Sequence, residues 1–592
     1  MSQQVLQETA TKHTTQPRAQ RHLNGPQTTG RSYRNLSQPQ YGMVCDEDVA
    51  VPMRDGVKLL VDVYRPDVDG QFPSLFAASC YPRQIQNLGA PMGFIEAGAS
   101  DFWVPRGYVH VIANLRGTSG SEGMFSLFDA QERRDMYDLV EWIAAQPWCD
   151  GKVAGIGLSY FASTQVEAAV ERPPHLKAIF PLGLSPDFYE AARHHGLFSS
   201  SMMSPFMSNI GIMSDQGKNK LWRGKMIDLL RHVLALPKIH DRFATFNGES
   251  AKAILQALRH LNYETHPWDD LWRAMAVEHP LRDAWWDDRN TEPMLADVDI
   301  PVYLGCDWEN VPLHLPGTFR ALKALGDNPN VRVALFGQYG LTWPWESLHE
   351  EALAWFDHWL KDRDTGILDG PRIRYWLPVA EEWRTADVWP PAESRLVELA
   401  LRADGRLAQD EGQTGARSYE CLGPGLNREP RESDPPSSLT WETAPLGADI
   451  DMAGNVELRL DASASASDTA WIVTLQDVSS DGSLYEVTTG WLQASLRKVD
   501  ESASEPGAPV LPCRRAEPVP TGEKIAYRIP LVANARRFKA GHRIRVLLCS
   551  DDQPKEIPAI MNFRHSPVGT SSLNTVHSSS RLLLPVTSAA MP

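Results

Sequence analysis

Apolar and polar residues begin to alternate at about residue 46. Residues 49–64 hold two alternating segments around Asp55-Gly56, the pattern of a β-hairpin. Continuous apolar runs at 73–78 and 108–113 predict buried strands. Residues 129–146 switch to helical spacing, with Met136, Leu139, Val140 and Ile143 on one face. Runs at 153–158 and 178–182 continue the alternation of strand and helix, which predicts a parallel sheet covered on both faces. From 185 to 290 the pattern is helical, clearest at 221–236 and 251–261, and predicts a cap beside the C-terminal edge of that sheet. Met202, Met203, Met207, Met213, Phe198 and Phe206 either line an apolar pocket there or pack between cap helices. Strand pattern returns at 300–306 and 331–336, and a helix at 348–360 follows.

Beyond residue 372, strand-like runs at 456–460, 470–475, 525–532 and 542–549 are separated by Gly, Pro, Asp and Ser clusters, which predicts an all-β jelly-roll sandwich. Residues 1–40 are too polar to offset the entropy of ordering and read as a disordered tail. The expected division is a tail (1–40), an α/β domain from 41–184 and 291–371, a helical cap (185–290) and the sandwich (372–592).

Composition narrows the chemistry. The 592 residues are 42% hydrophobic and 22% charged, ordinary values for a globular chain. A net charge of −16 argues against a nucleic-acid partner, because phosphate binding draws its affinity from Lys and Arg. No apolar run is long enough for a membrane span and the amino terminus lacks a signal pattern, so no membrane association and a cytoplasmic location are expected. The seven cysteines are scattered without a C-x-x-C pair, indicating neither a disulfide framework nor a zinc site.

The stretch that organises the rest is Gly155-Ile156-Gly157-Leu158-Ser159-Tyr160, where an apolar run enters a Gly-x-Ser turn and a helical segment follows directly. This is the pattern of a nucleophile elbow. A strand-to-helix turn this sharp leaves little room for side chains before the serine, and Gly155 and Gly157 meet that need. Ser159 would stand exposed above the sheet edge, with the Tyr160 backbone N–H aimed where a carbonyl oxygen becomes negative.

Several further motifs stand in one order: Val51-Pro52-Met53-Arg54-Asp55-Gly56, Arg116-Gly117-Thr118-Ser119-Gly120-Ser121-Glu122-Gly123, Glu141-Trp142-Ile143-Ala144-Ala145-Gln146-Pro147-Trp148, Trp355-Phe356-Asp357-His358-Trp359-Leu360-Lys361 and Gly541-His542-Arg543-Ile544-Arg545. With Gly157-Leu158-Ser159-Tyr160 they make the chain resemble the cocaine-esterase and X-prolyl dipeptidyl-peptidase family of serine hydrolases from about Val49 to the carboxyl terminus. The resemblance implies an α/β-hydrolase domain, a helical cap and a C-terminal jelly roll. It also implies cleavage of a small-molecule ester or amide through an acyl-enzyme on Ser159, without metal or organic cofactor; a homodimer is compatible with it. The family's second oxyanion donor is a tyrosine hydroxyl after an early strand, and Tyr81 matches that position.

The other two triad positions depart from the family pattern. Where the family has its aspartate, this chain reads Asp307-Trp308-Glu309-Asn310, with asparagine in the acid's place. Asn310 has no charge to stabilise an imidazolium, so Asp307, directly after the strand, is preferred over Glu309. Where the family has Gly-Pro-Trp-x-His, this chain reads Gly337-Gln338-Tyr339-Gly340-Leu341, and leucine accepts no proton. His349, on the same connection, is the preferred base; His314 is the competitor. His194-His195 reads as structural rather than metal-binding, since adjacent helical positions point about 100° apart. Asp129, Arg133, Arg134 and Asp135 read as a solvated helix face or cap, and Arg116 as a structural ion-pair residue.

Overall fold

The computed structural model describes residues 12–15, 28–88, 95–218, 229, 232–233, 236–239, 264–326, 328–337, 348–422, 435–552, 563–569 and 571–590. The predicted cap helix at 251–261, most of that at 221–236, and segment 338–347 with Leu341 lie outside these.

The Asp55-Gly56 hairpin forms as expected. Strands β2 (Met43–Pro52) and β3 (Lys58–Pro66) pair antiparallel, and β1 (Lys12–Thr15) adds to β2. The apolar runs become β4 (Phe72–Ser79), β5 (Val109–Asn114), β6 (Cys149–Leu158), β7 (Leu176–Leu182), β8 (Val302–Asp307) and β9 (Val331–Phe336). Two more strands, β10 (Ile373–Leu377) and β11 (Glu382–Ala386), complete one sheet in the order β1-β2-β3-β5-β4-β6-β7-β8-β9-β10-β11. Pairing is parallel from β5 through β10, which fits strands whose side chains are almost all buried on both faces.

The helices follow from the same pattern. Helix α1 (Ala130–Ala144) buries Met136, Leu139, Val140 and Ile143, and the Asp129 side chain caps it by accepting the N–H groups of Gln131 and Glu132 at 3.0 and 2.9 Å. Arg133 and Asp135 do not face solvent as the sequence suggested. Both are buried, and Asp135 pairs with Arg116 at 2.6 Å, while Arg116 also holds Asp55 at 2.8 Å. The remaining helices that matter here are α2 (Tyr160–Glu171), α3 (His314–Ala324) and α4 (His349–Lys361).

Two boundaries differ from expectation. Strands β10 and β11, read from sequence as the start of the sandwich, extend the hydrolase sheet through β9. Residues 28–40, read as tail, are with 41–42 a strap over α4. Thr29 N–H donates to Glu351 at 3.0 Å, and Ser37 donates to Asp357 through its N–H at 2.6 Å and its hydroxyl at 2.7 Å. The strap's polar residues are thus donors to buried carboxylates.

In the cap region, Met202, Met203, Met207, Met213, Phe198 and Phe206 are all buried in the main core. A short pair of strands, Arg193–His194 with Leu197–Phe198, precedes the cap helix Ser200–Lys218. The C-terminal domain is antiparallel and all-β, with Ile450–Ala464 paired along Ile525–Phe538 at its centre.

Candidate active site

Ser159 occupies the junction of β6 and α2 with φ 62° and ψ −117°, a conformation an L-residue holds only when its surroundings enforce it. The glycines before it are obligatory. A Cβ on Gly155 would lie 2.5 Å from the Gln165 side chain, and one on Gly157 (φ +135°) would lie 2.4 Å from Phe161 Cβ. Ser159 N–H donates to Leu182 O at 3.0 Å and Leu158 N–H to Glu96 O at 3.1 Å, so strand β7 and segment 95–99 brace the turn on either side. The serine itself is part-exposed.

Tyr81 follows β4, is buried, and shares a hydrogen bond with the Ser159 side chain. Burial, with the nearby Glu96 carboxyl behind it, pushes the phenol well above its ordinary range, so it stays a proton donor. Tyr160 opens α2, its ring stacked on Phe128 at 4.2 Å and its hydroxyl donating to Glu132 at 2.9 Å. Sequence reasoning missed the acids around these tyrosines. Glu132 and Glu167 are buried together, with both carboxyls pushed up by burial, and Glu96 is likewise raised by burial. Nothing in their spacing marks them, since each lies on a different element.

The acid candidates separate. Asp307 ends β8 and is buried beside the sheet edge. Glu309 turns towards the C-terminal domain, where Tyr485 donates to it at 3.0 Å; burial and then the Asp307 charge raise its pKa. Asn310 is a structural residue: its side-chain oxygen accepts His314 N–H at 3.2 Å and its carbonyl accepts Leu315 N–H at 3.1 Å, which starts α3.

The histidines separate too. His349 is fully buried at the start of α4, its ring stacked on Phe102 at 4.7 Å and its Nε2 facing the Ala99 N–H at 3.4 Å; no hydrogen bond joins it to Ser159. His314 packs its ring on Gly183, where an added Cβ would lie 3.3 Å from it. Gly183 directly follows Leu182, the residue paired with Leu158 in the sheet, so His314 sits beside the elbow. Its Nδ1 is buried without a partner among the described residues, and burial pushes its pKa down to about 3. The structure therefore gathers Ser159, Tyr81, Tyr160 and His314 at one edge of the sheet, with Asp307 ending the next strand but one from β6, and sets His349 into the core. No group of His, Cys, Asp and Glu among the described residues has the arrangement of a metal site, and no described helix is long and apolar enough to cross a membrane.

Comparison with known proteins bears on the family and the fold. The family model for X-Pro dipeptidyl-peptidase (S15 family) matches residues 55–345, and that for the X-Pro dipeptidyl-peptidase C-terminal non-catalytic domain matches 365–577. The chain is 26% identical over 557 residues to a cocaine esterase from Rhodococcus sp., covering 86% of this chain and 91% of that one. It is 20% identical over 555 residues to a putative Xaa-Pro dipeptidyl-peptidase from Bacillus anthracis, covering 84% and 81%. Among solved structures, a CocE/NonD family hydrolase from Staphylococcus aureus shares the fold with a TM-score of 0.72 at 22% identity, covering 96% of this chain and 99% of that one. An α-amino acid ester hydrolase shares it at 0.69 and 20%, covering 95% and 99%.

Proposed function

Because the chain belongs to the X-Pro dipeptidyl-peptidase (S15) family of serine hydrolases, we propose that it cleaves an ester or amide bond of a small organic or peptide-like substrate through an acyl-enzyme on Ser159. The observation that carries this reading is the enforced backbone of Ser159 with the Tyr81 hydroxyl bonded to its side chain. Ser159 Oγ attacks the carbonyl carbon and passes its proton to an imidazole. The carbonyl oxygen, now negative, takes hydrogen bonds from the Tyr81 hydroxyl and the Tyr160 N–H. The imidazole returns the proton to the leaving alcohol or amine, and water repeats the cycle to release the acid.

We assign the proton acceptor to His314 ahead of His349. His314 packs beside the elbow, whereas the His349 ring is taken up by Phe102, Trp103 and the Ala99 N–H. Asp307 is the acid of choice, since Glu309 is engaged by Tyr485 and its carboxyl is raised by burial and then by the Asp307 charge. A second reading, a hydrolase fold that binds a ligand or catalyses a non-hydrolytic reaction, draws on one observation: burial alone acts on His314, and no carboxylate hydrogen-bonds to it among the described residues.

A fluorophosphonate probe separates the two. Covalent labelling that is lost in Ser159→Ala and falls steeply in His314→Ala is the expected result. Well-folded protein that takes no label would favour the second reading, and labelling that depends on His349 instead would reassign the base.

A further inference from the structure

The loop that carries both Asp307 and His314 is gripped from the C-terminal domain at three points. Asn534 Nδ2 donates to the Trp308 carbonyl at 3.2 Å, and the Tyr485 hydroxyl donates to Glu309 at 3.0 Å. The third grip runs through two buried histidines. Asp552 Oδ2 accepts the His565 backbone N–H at 2.7 Å and its ring Nδ1–H at 2.9 Å. His565 Nε2 lies 2.6 Å from His194 Nδ1, and His194 Nε2 lies 2.6 Å from the carbonyl of Pro312, two residues before His314.

Donor and acceptor rules assign the protons along this chain. A carbonyl only accepts, so His194 Nε2 carries hydrogen. Burial, and after it the charge of His565, pushes His194 down to about 3, so the ring is neutral and its Nδ1 accepts. The hydrogen between the two rings then belongs to His565 Nε2. The Asp552 carboxylate takes the hydrogen on Nδ1, so both ring nitrogens of His565 are engaged along this chain. Against the upward push of burial, His565 holds the Asp552 carboxyl below its usual range. The surroundings are fixed: the His194 ring stacks on Trp491 at 4.4 Å, and Ser566 N–H donates to Phe198 O at 2.8 Å. His195 and Glu190, 3.7 Å apart, are the other titratable groups that act on His194.

We propose that Asp552, His565 and His194 form a clasp by which the C-terminal domain positions the loop bearing Asp307 and His314, an inference that rests on the hydrolase reading above. These three are positioning residues, not catalytic ones. Without Asp552 to hold His565 and His565 to hold the His194 ring, the Pro312 carbonyl loses its anchor and turnover falls while the fold stands. The domain whose family description is non-catalytic thereby sets the geometry of the acid–base loop.

The test uses the full chain with Asp552→Asn and Asp552→Glu, hydrolysis of p-nitrophenyl butyrate, and hydrogen exchange of peptides covering 307–316. Asp552→Asn keeps the shape but weakens the charge-assisted hydrogen bond to the His565 ring. Its kcat should fall about tenfold with KM unchanged, exchange over 307–316 should rise, and Asp552→Glu should restore both. A kcat and an exchange profile that stay at wild-type values, with a lower melting temperature as the sole effect, would overturn the clasp. If the wild-type chain takes no fluorophosphonate label, the hydrolase reading fails separately, and the exchange profiles still decide whether the clasp exists.

Discussion

The missing side chains of Gly155 and Gly157 decide whether Ser159 can stand where it does. Gly157→Ala would drive a methyl into Phe161 Cβ across 2.4 Å at a backbone angle L-residues avoid. The expected cost is about 3 kcal/mol in urea unfolding, with at least tenfold slower probe labelling. Tyr81→Phe removes the hydroxyl proposed as an oxyanion donor without changing the packed ring, so kcat should drop by about 10²–10³ with KM little altered. Asp307→Asn should lower turnover by up to about 10⁴ with little change in melting temperature, while Glu309→Gln should leave it within about tenfold; the reverse order would show that Glu309 is the acid. The elbow was legible in the sequence because its geometry demands particular neighbours in the chain. Where each histidine would lie was not. His349 lies on the connection where a family histidine is missing, but chain proximity says nothing about reach, and α3 brings His314 to Gly183 from the preceding loop.

At the scale of elements, the hydrophobic period predicted each strand from β2 to β9 and helices α1 and α4 within a few residues, because buried parallel strands and one-sided helices leave distinct apolar spacings. It did not tell which sheet a strand joins. Strands β10 and β11 alternate just as the sandwich strands do, so only their pairing with β9 assigns them. Charged residues in α1 misled for a related reason: Arg116 arrives from the turn after β5 and turns Asp135 into a buried ion-pair partner. Arg116→Met would strand that carboxylate and should cost about 3 kcal/mol, visible as a lower urea midpoint. Loss of the Asp129 cap in Asp129→Ala should cost about 1 kcal/mol.

Across the whole molecule, buried neutral histidines and buried carboxyls pull the response to acid in opposite directions. Burial pushes His110, His194 and His314 each from 6.5 to about 3. Between those values the unfolded chain binds more protons than the folded one, so stability is complete above the unfolded value and declines as pH falls. At pH 5 each histidine costs about 2 kcal/mol. The raised carboxyls of Glu96, Glu132, Glu167 and Glu309 act in the opposite sense over this range, so the test is a difference: between pH 8 and pH 5, His314→Leu should lose about 2 kcal/mol less urea stability than the parent protein, and an equal loss would mean that His314 is charged when folded. The strap of residues 28–42 belongs to this scale as well. It hands hydrogen-bond donors to Glu351 and Asp357 inside the last helix of the hydrolase sheet, leaving Tyr303 and Tyr108 as companions on those carboxylates. A recombinant version begun at Tyr41, trimmed in the hope of easier crystallisation, would expose that helix's acids to an emptied groove, and the expected yield of such trimming is aggregate in the pellet rather than a tidier molecule.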